Sequence, residues 1–133
     1  MHKMSFFSKK IINWQKINGR NNLPWQAKSP YHVWISEIML QQTQVKTVIP
    51  YFHKFINSFP SIKSLAESNL DDVLANWSGL GYYTRAKNIH LTSKIIHEKY
   101  NGSIPNNYDQ LIELPGIGES TAGALLSLSL IHI

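Results

Sequence analysis

Leu114-Pro115-Gly116-Ile117-Gly118 is the stretch that most constrains how this chain folds, because two glycines one residue apart interrupt helical patterning on both sides. Lacking a Cβ, each glycine lets the backbone turn sharply and lets a ligand approach closely. Upstream, Asn107 stands where it can cap a brief helix through Leu111 and Leu114. Downstream, Thr121 to Leu130 is apolar nearly all round, the pattern of a central buried helix. A hairpin between such helices exposes amides at a helix start, where the positive end of the helix dipole favours a phosphate. A tight loop whose glycines serve only helix packing fits the same five residues.

The remaining patterning is also helical. Phe6, Phe7, Ile11 and Trp14 recur at helical spacing behind Ser5, predicting a helix over about residues 5 to 17. A polar loop follows, carrying Leu23-Pro24-Trp25-Gln26, and Ser29 with Pro30 launches a helix through Tyr31, Val33, Trp34, Ile38 and Met39. Gln41-Gln42-Thr43-Gln44 is a polar break. Beyond it, apolar residues at 45, 48, 49, 52, 55, 56 and 59 keep a helical period, with Pro50 either in the first turn or at a kink. Ser64-Leu65-Ala66-Glu67 has capping-box spacing, Asn69 can cap a short helix through Val73, Leu74 and Trp77, and Gly79 can end it. Residues 82 to 100 form a long helical run with Ala86, Ile89, Ile95, Ile96 and Tyr100 inward and Arg85, Lys87 and Lys94 on other faces; Asn101-Gly102 closes it. With no alternating strands, repeat or low-complexity linker, the predicted fold class is all-α.

With 133 residues, 43% of them hydrophobic, the chain can bury one core. Zero cysteines exclude a disulfide or a thiolate metal site. Thirteen Lys+Arg against eight Asp+Glu give a formal charge of +5, which favours a polyanionic partner. The longest apolar stretch, Ala122 to Ile133, is interrupted by Ser127, Ser129 and His132 and is too short to span a bilayer. Residues 1 to 7 lack an apolar core and a small-residue cleavage site, so no secretory signal is expected and the default location is cytoplasmic.

Several residues carry candidate chemistry. Glu37 lies in Trp34-Ile35-Ser36-Glu37-Ile38-Met39-Leu40, and a carboxyl desolvated there would have a raised pKa suited to a general acid; a glutamate on the solvated face of an amphipathic helix fits the same spacing. The Gln41 to Gln44 run offers paired donors and acceptors for base edges, or is a plain interhelical loop. Tyr82 and Tyr83 can wedge into a base stack at a helix start, or sit half-buried in the core. Arg85 and Lys87 can contact phosphates or simply solubilise their helix. The six histidines show no ligand cluster, although His90 and His97 can share a helix face. Ser120 has no evident His partner, which favours a polar contact over a nucleophile.

Taken together, these segments resemble the MutY family, the adenine-specific DNA glycosylases of the helix-hairpin-helix superfamily. The likeness rests on Leu23 to Gln26, Pro30-Tyr31 to Trp34, Ser36 to Val45 with its Gln-Gln-Thr block, Thr47 to Phe52, Trp77 to Tyr83, and Leu114 to Gly123. It implies a helix-hairpin-helix glycosylase fold: an N-terminal helix over residues 1–18, then a six-helix barrel domain over 19–133 with its hairpin motif at about 107–131. It also implies excision of adenine mispaired with 8-oxoguanine or guanine in double-stranded DNA, the base being extruded into a pocket. By the match, Glu37 protonates the adenine; Trp25, Gln26, Leu40 and Val45 line its pocket, and Ser120 contacts the substrate nucleotide. Gln42, Thr43, Leu80 and Tyr82 meet the gap around the opposing damaged guanine, and Gly116, Ile117 and Gly118 hold the phosphate backbone. No membrane or protein partner is expected, and in a bacterium the protein would be nucleoid-associated.

The endonuclease III branch is the nearest alternative, but it places a nucleophilic lysine where this chain has Ser120, which cannot form an imine. A non-catalytic DNA-binding fragment is the other. Family members continue past the Ser-Leu-Ser-Leu segment to an aspartate in an Asp-Gly-Asn setting, to four cysteines holding a [4Fe-4S] cluster, and to a domain that recognises 8-oxoguanine. This sequence stops at Ile133 before them, so the expectation is a C-terminally truncated, marginally folded chain with impaired catalysis.

Overall fold

The structure, a computed structural model, describes residue 24 and residues 29–131, the last three by backbone alone. Seven helices stand among the described residues: α1 (Pro30–Met39), α2 (Val45–Ser58), α3 (Ile62–Glu67), α4 (Leu70–Trp77), α5 (Tyr83–Lys99), α6 (Tyr108–Ile112) and α7 (Glu119–Ile131). No strand occurs among these residues, as the patterning predicts. The helix predicted over residues 5 to 17, the boundary at residue 18, and Trp25 and Gln26 lie outside the described residues.

Most helix starts follow the sequence. The Ser29 hydroxyl accepts from the His32 amide at 3.3 Å with Pro30 in the first turn, Asn69 accepts from the Asp72 amide at 2.9 Å, and Asn107 accepts from the Gln110 amide at 3.0 Å. These side chains take up amides that a helix start leaves unpaired. One start differs. The capping box is formed by Ser61 and Ser64, each hydroxyl accepting from the other's amide at 3.1 and 3.0 Å, and not by Ser64 and Glu67. Ile62 and Leu65 must both turn into the core, so the helix begins one turn earlier than the spacing suggests. Pro50 sits beyond the first turn of α2, on its exposed side, and the helix continues through it.

Trp34, Phe55, Leu65, Trp77, Ile89, Ile96, Leu111 and Leu128 are the large side chains at the centre. Around them α1 packs on α2 and α7, α5 lies across α3 and α4, and α6 leans on α7. The long helix α5 also ties its neighbours through polar side chains. Lys94, expected on an outer face, donates to the Ala66 carbonyl at 3.0 Å, and His90 Nε2, 2.8 Å from the Ser68 carbonyl, must carry the proton there because a carbonyl only accepts. Both satisfy carbonyls at the end of α3. A lone Ser36 hydroxyl inside apolar α1 bonds back to the Val33 carbonyl at 2.8 Å, so that helix buries no unpaired hydroxyl.

Candidate nucleic-acid interface

The hairpin between α6 and α7 is built by packing on one side and left open on the other. Gly116 adopts φ +81, and a Cβ there would lie 2.9 Å from the Asn88 Cβ, so both backbone and neighbour require glycine. The Ile117 amide donates to the Leu114 carbonyl at 3.1 Å, and the Thr92 hydroxyl holds the Pro115 carbonyl at 2.6 Å. Ile117 itself is only 4% exposed and plugs the core, so what it presents outward is backbone. At Gly118 a Cβ would meet nothing within 4 Å, and its carbonyl accepts from the Ala122 amide at 2.9 Å to open α7. Residues 118 to 120, where α7 begins, are exposed. Glu119 in this turn suits the helix dipole, and its carboxylate accepts from the Tyr108 hydroxyl at 3.4 Å.

Beside the hairpin, α1 and α5 enclose a cleft of about 90 Å³ lined by Trp34, Ile38, Thr84, Asn88, Pro115 and Gly116 among others. Arg85 and Gln41 line this cleft and also a wider groove of about 530 Å³, whose other walls are Gln42, Tyr82 and Thr84. Gln42 and Tyr82 both have left-handed backbones, φ 61 and 53, a conformation costing a non-glycine residue on the order of 1 kcal/mol or more. The Tyr82 ring is 63% exposed at the head of α5.

Arg85 reaches the residue before Gln42 and the ring of Tyr82. Its Nη1 donates to the carbonyls of Ile38 and Gln41, both at 2.6 Å, and to that of Met39 at 3.2 Å, while the guanidinium carbon sits 5.5 Å from the ring centres of both Trp77 and Tyr82. Partial burial pushes its pKa down, and the nearby Tyr82 acts in the other direction. The sequence reading, phosphate contact or solubilising charge, is corrected: the side chain turns inward onto the end of α1. The signal available in the sequence was that α1 has no basic residue in its last turn.

The other predicted site residues are distributed as follows. Glu37 is half-buried on α1, Leu40 is half-buried as its C-cap, and Thr43 is half-buried with its hydroxyl 3.3 Å from the Gln41 carbonyl. Val45 is partly exposed at the start of α2, and Ser120 is exposed in the first turn of α7, the helix against which α1 packs. Leu80, expected at the gap in DNA, is 7% exposed and packs with the core, which leaves Tyr82 as the large exposed side chain of that loop. A larger cavity of about 720 Å³ lies elsewhere, floored by Leu125 and Leu128, and no Asp, Glu, His, Lys or Arg lines it among the described residues. A [4Fe-4S] cluster needs four thiolates, and with no cysteine these residues do not fit one. Nor do three His, Asp or Glu come together to hold an ion among the described residues.

An all-helical shell in which a glycine hairpin opens a buried helix beside a polar groove defines the helix-hairpin-helix class. Residues 35–124 match the family described as HhH-GPD superfamily base excision DNA repair protein, and the chain belongs to that superfamily. It is 63% identical over 125 residues to an adenine DNA glycosylase of Buchnera aphidicola from Acyrthosiphon pisum, covering 93% of this chain and 36% of that protein. Against the adenine DNA glycosylase of Homo sapiens it is 34% identical over 137 residues, 96% of this chain and 25% of that protein. The chain thus spans about a third of the length of the bacterial relatives and a quarter of the mammalian ones. Among solved structures, a thermostable thymine-DNA glycosylase superposes with a TM-score of 0.75 at 23% identity, covering 96% of this chain and 59% of that one. A trapped endonuclease III–DNA covalent intermediate superposes at 0.74 and 20%, covering 98% and 61%. At these identities the likeness is one of fold. No helix among the described residues is long and apolar enough to cross a membrane.

Proposed function

We infer that the chain is the DNA-gripping and acid-bearing part of an adenine DNA glycosylase acting in base excision repair on adenine opposite 8-oxoguanine or guanine. The observation that carries this reading is the shared groove: Gln42, with amide donors and acceptors suited to a base edge, faces Tyr82, an exposed ring suited to stacking. The exposed glycine turn at Gly116 and Gly118, which opens α7, is suited to a phosphate grip nearby, and the formal +5 charge favours duplex DNA. In this reading Gln42, Thr43 and Tyr82, with Leu80 behind them, occupy the gap left by the extruded adenine. Trp25, Gln26, Leu40 and Val45 enclose the base, and Ser120 touches its nucleotide.

Glu37 is then the general acid. Its proton passes to the adenine ring, the electrons of the glycosidic bond leave with the base, and water attacks the oxocarbenium-like sugar carbon, its released proton returning to the Glu37 carboxylate. The serine at 120 has no amine, so strand cleavage through an imine is not open to this residue. The enzyme would work in the cytoplasm, on the nucleoid in a bacterium. Fluorescence anisotropy with matched A:T and mispaired A:8-oxoguanine duplexes tests the reading. Tighter binding to the mispair is expected, and equal affinities would overturn it.

A further inference from the structure

Arg85 connects two segments 44 residues apart. One is the end of α1 with the Gln41-Gln42 turn, whose carbonyls at Ile38, Met39 and Gln41 all accept from Nη1. The other is the loop before α5, where the guanidinium lies 5.5 Å from the Tyr82 ring centre and Trp77 Nε1 donates to the Gly81 carbonyl at 2.9 Å. The end of α1 carries the negative pole of its dipole and no basic residue of its own, so the cation from α5 supplies both charge and donors there. A planar guanidinium can bond two carbonyls while stacking between aromatic faces, and a lysine ammonium cannot do both.

Resting on the reading of the groove as a mispair reader, we propose that Arg85 is a positioning residue for specificity: one guanidinium sets Gln42 and Tyr82 relative to each other, so that the two act on the DNA gap as a unit. Arg85 lines the groove wall, but its part in discrimination runs through the carbonyls and the ring that it holds. Its substitution therefore lowers discrimination more than it lowers general duplex affinity, which rests on the hairpin and on net charge.

The test compares affinity for A:8-oxoguanine and A:T duplexes in the parent chain, Arg85→Lys and Arg85→Met. In Arg85→Lys the mispair preference falls about tenfold, the scale of a lost charge-assisted hydrogen bond, while matched-duplex affinity falls far less. Gln42→Ala and Tyr82→Ala are non-additive in the parent and become additive in the Arg85→Lys background. Hydrogen exchange accompanies each variant: peptides over residues 40–44 exchange faster, while those of α3 and α6 keep parental protection. The inference is overturned by a preference retained in Arg85→Lys, by a proportional fall in both affinities, by additivity in the parent, or by loss of protection throughout the chain. A parent chain with no mispair preference overturns the functional reading and this inference with it, before any substitution is made.

Discussion

The Thr92 hydroxyl donates to the Pro115 carbonyl at 2.6 Å, so that the middle of α5 fastens the hairpin from beneath. Thr92 is fully buried. Thr92→Val preserves shape but leaves that half-buried carbonyl without its donor, a loss of about 0.5–1.5 kcal/mol. Urea unfolding should show a lower midpoint with an unchanged slope. An unmoved midpoint would mean that the hairpin does not depend on this bond.

The two hairpin glycines should respond oppositely. Gly116→Ala combines a left-handed backbone with a Cβ pressed on Asn88, and is expected to destabilise by about 1–3 kcal/mol. Gly118→Ala meets open space, so stability should stay within about 0.5 kcal/mol while duplex affinity drops, because the added methyl stands where a phosphate would approach. Paired unfolding and binding measurements separate the two. Equal effects of both substitutions on stability would contradict the geometry.

Tyr31 ties the start of α1 to the end of α2 by donating to the Phe59 carbonyl at 2.6 Å, and burial pushes its phenol pKa well up. The unfolded chain then ionises Tyr31 at about pH 10 while the folded chain keeps its proton. Above that pH the unfolded state binds fewer protons, so stability falls as pH rises, by up to about 1.4 kcal/mol per pH unit for this group. Thermal melts between pH 9 and about 11 should show the fall. In Tyr31→Phe that part of the slope should vanish, with a loss of about 1–3 kcal/mol at neutral pH from the unpaired carbonyl.

Glu37→Gln keeps size and polarity but removes the transferable proton. In a chain extended to the length of its relatives, single-turnover adenine release should fall by a factor on the order of 10² or more, with mispair affinity little changed. Release at parental rate would remove Glu37 from the acid role.

Much of the fold was legible because helix signals are local. Ser29, Asn69 and Asn107 cap where they stand in the sequence, the 45-to-59 periodicity buries Val48, Phe52, Phe55 and Phe59, and the apolar run that starts at Thr121 forms α7, buried at Ala122, Ala124, Leu125 and Leu128. Local spacing puts the capping box of α3 one turn too late because Ser61, Ser64 and Glu67 share a three-residue spacing, and only the demand to bury Ile62 and Leu65 selects between registers.

The sequence by itself determined the helix content, the hairpin, and the residue types available for reading a base and gripping a phosphate, because propensity, capping and glycine geometry act within a few residues. Tertiary structure alone decided which of them face one another. Arg85 looked like a surface cation until the carbonyls of Ile38, Met39 and Gln41 at the end of α1 drew it inward, and Leu80 entered the core while Tyr82 stayed out. Those outcomes depend on donors and acceptors more than forty residues apart meeting in space, and no local pattern encodes that meeting.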